Sequence, residues 1–148
     1  MEYKLTAQSI LHQLGVGKSY NGYKYIVYGI DLLEHDDVTL NGITKTLYID
    51  IAKKYQTSHT CVERNIRTVI EVIWRRADSN HALLLKIFGE RYLLHKPSNK
   101  MFLELLYEYI KAHNILEQLL GPNTTICPIS HQVCNAYYEI IEKLIEKN

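Results

Sequence analysis

The chain has 148 residues, 47% of them hydrophobic and 22% charged, with a net charge of +1. That length buries one main core, and the composition is that of a folded globular protein rather than a disordered or fibrous one. No apolar run approaches the roughly 18 residues of a membrane span, no signal-peptide core opens the chain, and three cysteines are too few for a disulfide framework, so a cytoplasmic, reduced protein is expected.

The small net charge hides an asymmetry. Residues 1–114 hold 15 Lys/Arg against 12 Asp/Glu, a balance of +3, whereas residues 115–148 hold 2 against 4, a balance of −2. A nucleic-acid partner needs local positive charge, and the first part of the chain supplies it. Few prolines and abundant Leu, Ile, Tyr and Lys favour an all-α fold. The expected division is a helical domain over residues 1–114 and a helical extension over 115–148.

In chain order, Thr6 can cap a short helix through Leu14, ended by Gly15 and Gly17. Gly17-Lys18-Ser19 has the last residues of a phosphate loop, but His12 stands where that loop needs a glycine and no strand precedes it. It reads as an interhelical loop. From 21 to 34, Tyr23, Ile26, Val27, Ile30 and Leu33 form a helical stripe with Asn21 as a cap. His35-Asp36-Asp37 reads as a solvated loop, and Asn41-Gly42 as a turn.

Residues 47–76 are the most informative stretch. Leu47, Ile51 and Ala52 give one helix an inward face, Gln56-Thr57-Ser58 breaks the pattern, and Thr57 or Ser58 can cap the next helix. In that second helix Val62, Ile66, Val69, Ile70 and Ile73 recur at core spacing. Thr60, Glu63, Arg64, Arg67 and Glu71 recur on another side, and arginines with a glutamate can read base edges in a major groove. The spacing is that of a helix-turn-helix, although an ordinary amphipathic hairpin with a solvated charged face has the same pattern.

Beyond it, Asp78-Ser79-Asn80 breaks the chain and a helix runs to Phe88, with Gly89 at its end. A loop through Leu94 leads to Lys96-Pro97-Ser98-Asn99, where Ser98 or Asn99 caps a helix carrying Phe102, Leu103, Leu106 and Ile110 and continuing through Leu116 and Leu120. Exposed N–H groups at that start, with Lys96 alongside, can seat a backbone phosphate; simple capping is the competing account. Residues 123–128 read as a linker after Gly121-Pro122. Ser130 or His131 opens a final helix to Lys147, whose stripe of Val133, Tyr137, Ile140 and Leu144 packs on the same domain or on another copy. Cys127, His131 and Cys134 lack a fourth ligand, so no metal is expected there.

Ile43-Thr44-Lys45, Leu47-Tyr48, Asp50-Ile51-Ala52-Lys53-Lys54 and Val62-Glu63-Arg64 closely resemble the DNA-binding effector domain of the stage-zero sporulation protein A response regulators. The likeness continues through Ile66-Arg67, Ile70-Glu71-Val72, Trp74, Phe88-Gly89, Lys96-Pro97-Ser98-Asn99 and Phe102, and covers residues 5 to 113. It implies base reading by Glu63, Arg64 and Arg67 on a GC-containing operator core. Ser58, His59, Thr60 and Thr68 would flank that trio, and Lys96 and Asn99 would lie near the DNA backbone. Cys61 stands where the family has a basic residue, and Thr68 where it has a histidine. The family's receiver domain has no counterpart before the first helix, which suggests either an excised effector domain or, the preferred reading, a stand-alone effector paralogue whose added tail supplies a homodimer or partner contact.

No nucleophile elbow, paired-histidine metal motif or phosphate loop is present, so neither an enzyme nor a cofactor is expected. The expected function is sequence-specific binding of double-stranded DNA in transcription regulation, with RNA polymerase or a sigma factor as a further partner. The alternative is a receiver-less interaction module that antagonises an intact regulator or RNA polymerase without specific DNA binding.

Overall fold

A computed structural model describes residues 2–35 and 43–120, with the side chains of residues 43, 44 and 120 excepted. These form seven helices: α1 Glu2–Gln13, α2 Asn21–His35, α3 Ile43–Tyr55, α4 His59–Arg75, α5 His81–Phe88, α6 Arg91–Leu94 and α7 Asn99–Leu120. Among the described residues there is no strand, and the fold is all-α. The chain divides into two compact units after Ala112, within α7, and the architecture below is that of the first. The final helix expected from 130 or 131 to 147, and the Cys127, His131 and Cys134 group, lie outside the described residues.

The core is built around α4. Val62, Ile66, Val69, Ile70 and Ile73 are all buried, as the helical spacing of these residues requires. Burying each such side chain contributes about 1.5–3 kcal/mol relative to leaving it in water. Helix α2 brings Ile26 and Ile30 to the same core, α1 brings Leu11 and Leu14, and α3 brings Ile51. Helices α2 and α3 both pack on α4, and α1 packs on α2. On the other flank Phe88 of α5 and Phe102 of α7 stack at 5.1 Å, and Trp74 meets Phe88 edge-on at 5.1 Å. The Trp74 indole N–H donates to the Tyr92 carbonyl at 2.6 Å, so the ring is satisfied at both its apolar and polar ends.

Two close approaches set how α4 is seated. A Cβ on Gly22 would lie 2.2 Å from the Asn65 carbonyl oxygen and 2.6 Å from Val69 Cγ2, so only glycine lets α2 meet α4 there. At the end of α1, Gly15 takes φ +82° while the Val16 N–H donates to Leu11 and the Gly15 N–H to His12. This is a Schellman ending, with Val16 and Leu11 both buried as its apolar contact. The turn between α3 and α4 repeats it with a different residue. Thr57 donates to Ala52 and Gln56 to Lys53, and Gln56 itself holds the left-handed conformation at φ +53°.

The caps sort the sequence expectations. Ser58, not Thr57, caps α4: its hydroxyl accepts from the Cys61 N–H at 3.2 Å. Ser98, not Asn99, caps α7 by accepting from the Met101 N–H at 3.3 Å. Thr6 is not a cap. Helix α1 already begins at Glu2, and the Thr6 hydroxyl bonds back to the Glu2 carbonyl at 3.1 Å. Asn80 precedes α5 without a side-chain capping bond and donates instead to the Leu14 carbonyl at 3.2 Å, tying that helix start to the end of α1. The four-residue α6 stands where a loop was expected, too short for an apolar period to reveal.

Candidate nucleic-acid interface

With its apolar stripe buried, α4 turns the opposite side outward. His59, Thr60, Arg64, Arg67 and Thr68 are exposed, and Glu63 is half-buried beside them. Ser58 is exposed too, but its hydroxyl is engaged as the cap and lies 3.0 Å from the Thr60 hydroxyl. The Thr68 hydroxyl donates back to the Arg64 carbonyl at 3.1 Å, which leaves its oxygen lone pairs facing solvent. Arg67 and Glu63 form an ion pair at 3.1 Å, one helical turn apart. The Arg64 guanidinium is exposed and, among the described residues, has no ion-pair partner. All nine residues expected to touch DNA therefore lie on α4, at its cap, or in the segment from Lys96 to the first residue of α7.

That last segment behaves differently from its expected role. Lys96 is exposed and reaches the α4 face, pairing with Glu71 at 3.4 Å. Asn99 is 8% exposed, and its side-chain nitrogen donates to the Glu63 carbonyl at 2.8 Å. Lys96 is thus solvent-exposed but paired with a carboxylate of α4, whereas Asn99 is held inside the protein.

A groove runs between α3, the start of α4 and the start of α7, bounded by Lys45, Ile49, His59, Arg67, Ser98 and Lys100. Lys45, Tyr48, Ile49 and Lys100 were not among the expected site residues. Lys45 and Tyr48 lie one turn apart in the stretch that carries the family resemblance, and Lys100 follows the Ser98 cap directly; those were the available signals. Tyr48 is buried at the base of the groove. Burial raises its phenol pKa above the usual value, and a hydrogen bond from Asn99 works against that rise. The phenol is therefore neutral at physiological pH.

Chemically the face offers two guanidiniums, ammonium groups at its edges and two carboxylates, Glu63 and Glu71, each ion-paired, carried on an exposed helix that follows a short capped turn. Lys18, in the 17–19 loop, is exposed and joins two helices rather than a strand and a helix, so no phosphate loop is formed. At the end of α2, Asp31, Glu34 and His35 bring potential ligand atoms within 4.8 Å of one another. They are neighbours on one helical turn, which by itself brings such groups together. Asp36 and Asp37 lie outside the described residues.

The packed helix pair α3–α4, its capped turn and this outward face define a helix-turn-helix of the DNA-binding class. Residues 7–110 match the family described as Sporulation initiation factor Spo0A C terminal, and the chain belongs to that family. It is a DNA-binding effector domain of the Spo0A type, from a group of transcription regulators of sporulation rather than of enzymes.

Proposed function

We propose that this chain is a sequence-specific regulator that binds double-stranded DNA by laying α4 in the major groove. The observation that carries the reading is the outward display of Arg64 and Arg67 on a helix whose opposite side is fully buried. Arginine suits guanine because its planar fork donates to O6 and N7 together. Glu63 accepts from a cytosine amino group on the same edge, and His59, Thr60, Thr68 and Lys96 lie where flanking phosphates pass. Ser58 acts chiefly through its cap. The Cys61 and Thr68 departures from the family pattern bear on which operator is preferred.

Selection of preferred duplexes from a random pool, at stated salt, tests the reading. Enrichment of a common GC-containing core supports it, and equal binding to selected and scrambled duplexes overturns it. That second outcome is also what an antagonist of an intact regulator or RNA polymerase would give. A cytoplasmic location fits the DNA-binding family. We further assign residues 115–148 a separate role in self-association or in contacts with RNA polymerase or a sigma factor. Deletion of residues 121–148 with no change in self-association would remove the homodimer part of that assignment.

A further inference from the structure

Asn99 is the first residue of α7 and is anchored there by the Ser98 cap on one side and the buried Phe102 on the other. Its amide nitrogen reaches across 36 residues of sequence to the Glu63 carbonyl at 2.8 Å. In an α-helix that carbonyl also accepts the N–H of the residue four positions on, here Arg67. Asn99 thus grips the peptide oxygen that links Glu63 to Arg67, the two residues whose side chains are paired at 3.1 Å. Tyr48 of α3, buried beneath the same groove, meets the Asn99 side chain from a third helix.

A phosphate ligand must present a donor to solvent, and Asn99 is buried with its amide nitrogen bonded to the Glu63 carbonyl of α4 and set beside the buried Tyr48 phenol. We infer that Asn99 is a positioning residue for base readout: it ties the start of α7 to α4 at Glu63 and so fixes the height and rotation at which Glu63 and Arg67 meet a base pair. The inference rests on the reading of α4 as the recognition helix. Base edges in the groove are told apart by bidentate hydrogen bonds whose geometry tolerates little displacement. A helix held only by its apolar stripe can roll slightly on the core, and a hydrogen bond from a neighbouring helix to its backbone opposes that roll.

The test compares the intact chain with Asn99→Ala and with Asn99→Leu, which is neutral, branches at the same carbon and removes the donor. Affinity is measured over a range of salt for the selected duplex, for the same duplex exchanged at the base pair where Arg67→Ala relaxes preference, and for a scrambled duplex. Discrimination at that base pair should fall about tenfold, the scale of one well-placed base contact, with scrambled binding and its salt slope unchanged. Equal loss on all three duplexes, with the salt slope unchanged because the amide is neutral, would make Asn99 a phosphate ligand and overturn the inference. A lower melting temperature with full discrimination in the folded variants would make it purely structural and also overturn it. If Asn99→Ala fails to fold, Asn99→Leu, which fills the site, decides the matter. An intact chain without any sequence preference would defeat the recognition-helix reading and this inference together, whereas a discriminating intact chain with equally discriminating variants would defeat this inference alone.

Discussion

Arg64 and Arg67 leave the same helix one turn apart, yet they begin from different states. Arg64 is exposed and, among the described residues, has no ion-pair partner, whereas Arg67 is held by Glu63. The Arg64→Ala variant should therefore lose about 1–3 kcal/mol of binding to the selected duplex and relax preference at one base pair, measured by titration against single-base variants. Gly22 makes a second prediction at this scale. Its missing Cβ is the space in which the Asn65 carbonyl stands, and that atom belongs to rigid helical backbone. Gly22→Ala should destabilise by about 1–3 kcal/mol, the usual cost of overpacking, read as a fall in the urea midpoint. Individual residues were legible in the sequence where their role follows from the nearest neighbours, as with Ser58. Asn99 was not, because its partner lies 36 residues away on another helix and no local pattern encodes that distance.

At the scale of elements, α4 announced itself through five apolar positions at helical spacing, and the break at 56–58 placed its start. Thr6 misled for a physical reason: a threonine near a helix start serves equally as a cap or, one turn in, as a donor to the carbonyl four residues back. The turn between α3 and α4 carries strain that its sequence hides. Gln56 occupies the left-handed region, which costs a residue with a Cβ roughly 1–2 kcal/mol, where glycine would enter freely. Allowing for the greater freedom of glycine in the unfolded chain, Gln56→Gly should raise stability by up to about 1 kcal/mol. A chemical denaturation curve with an unchanged slope would report it, and a loss of stability would show that the Gln56 side chain supplies a compensating contact.

At the scale of the whole molecule, tyrosine is unusually abundant, and several of the rings are partly or fully withdrawn from water. Burial is the leading cause of raised phenol pKa values at Tyr3, Tyr23, Tyr25, Tyr48 and Tyr55. The unfolded chain ionises these groups near 10 while the folded one still holds their protons, so above that pH the folded state binds more protons. Stability from these groups should be complete below about pH 10 and should fall as pH rises through the raised values. Melting temperatures across pH 8 to 11 would show the decline, and Tyr48→Phe should blunt it. The all-α class was readable from composition and periodicity alone. The seating of α4 between two flanks was not, since it depends on which side of the helix meets Gly22 and which meets Asn99.

The bridge between Glu63 and Arg67 has a consequence for how the protein searches. On the proposed reading of α4, this pair must open before Arg67 reaches a base, so a stretch of duplex that offers only a poor acceptor leaves the guanidinium on its own helix. The pair is solvent-exposed and one turn apart, so its opposition to a wrong site amounts to only about 0.3–0.5 kcal/mol, a mild brake carried by the unbound protein.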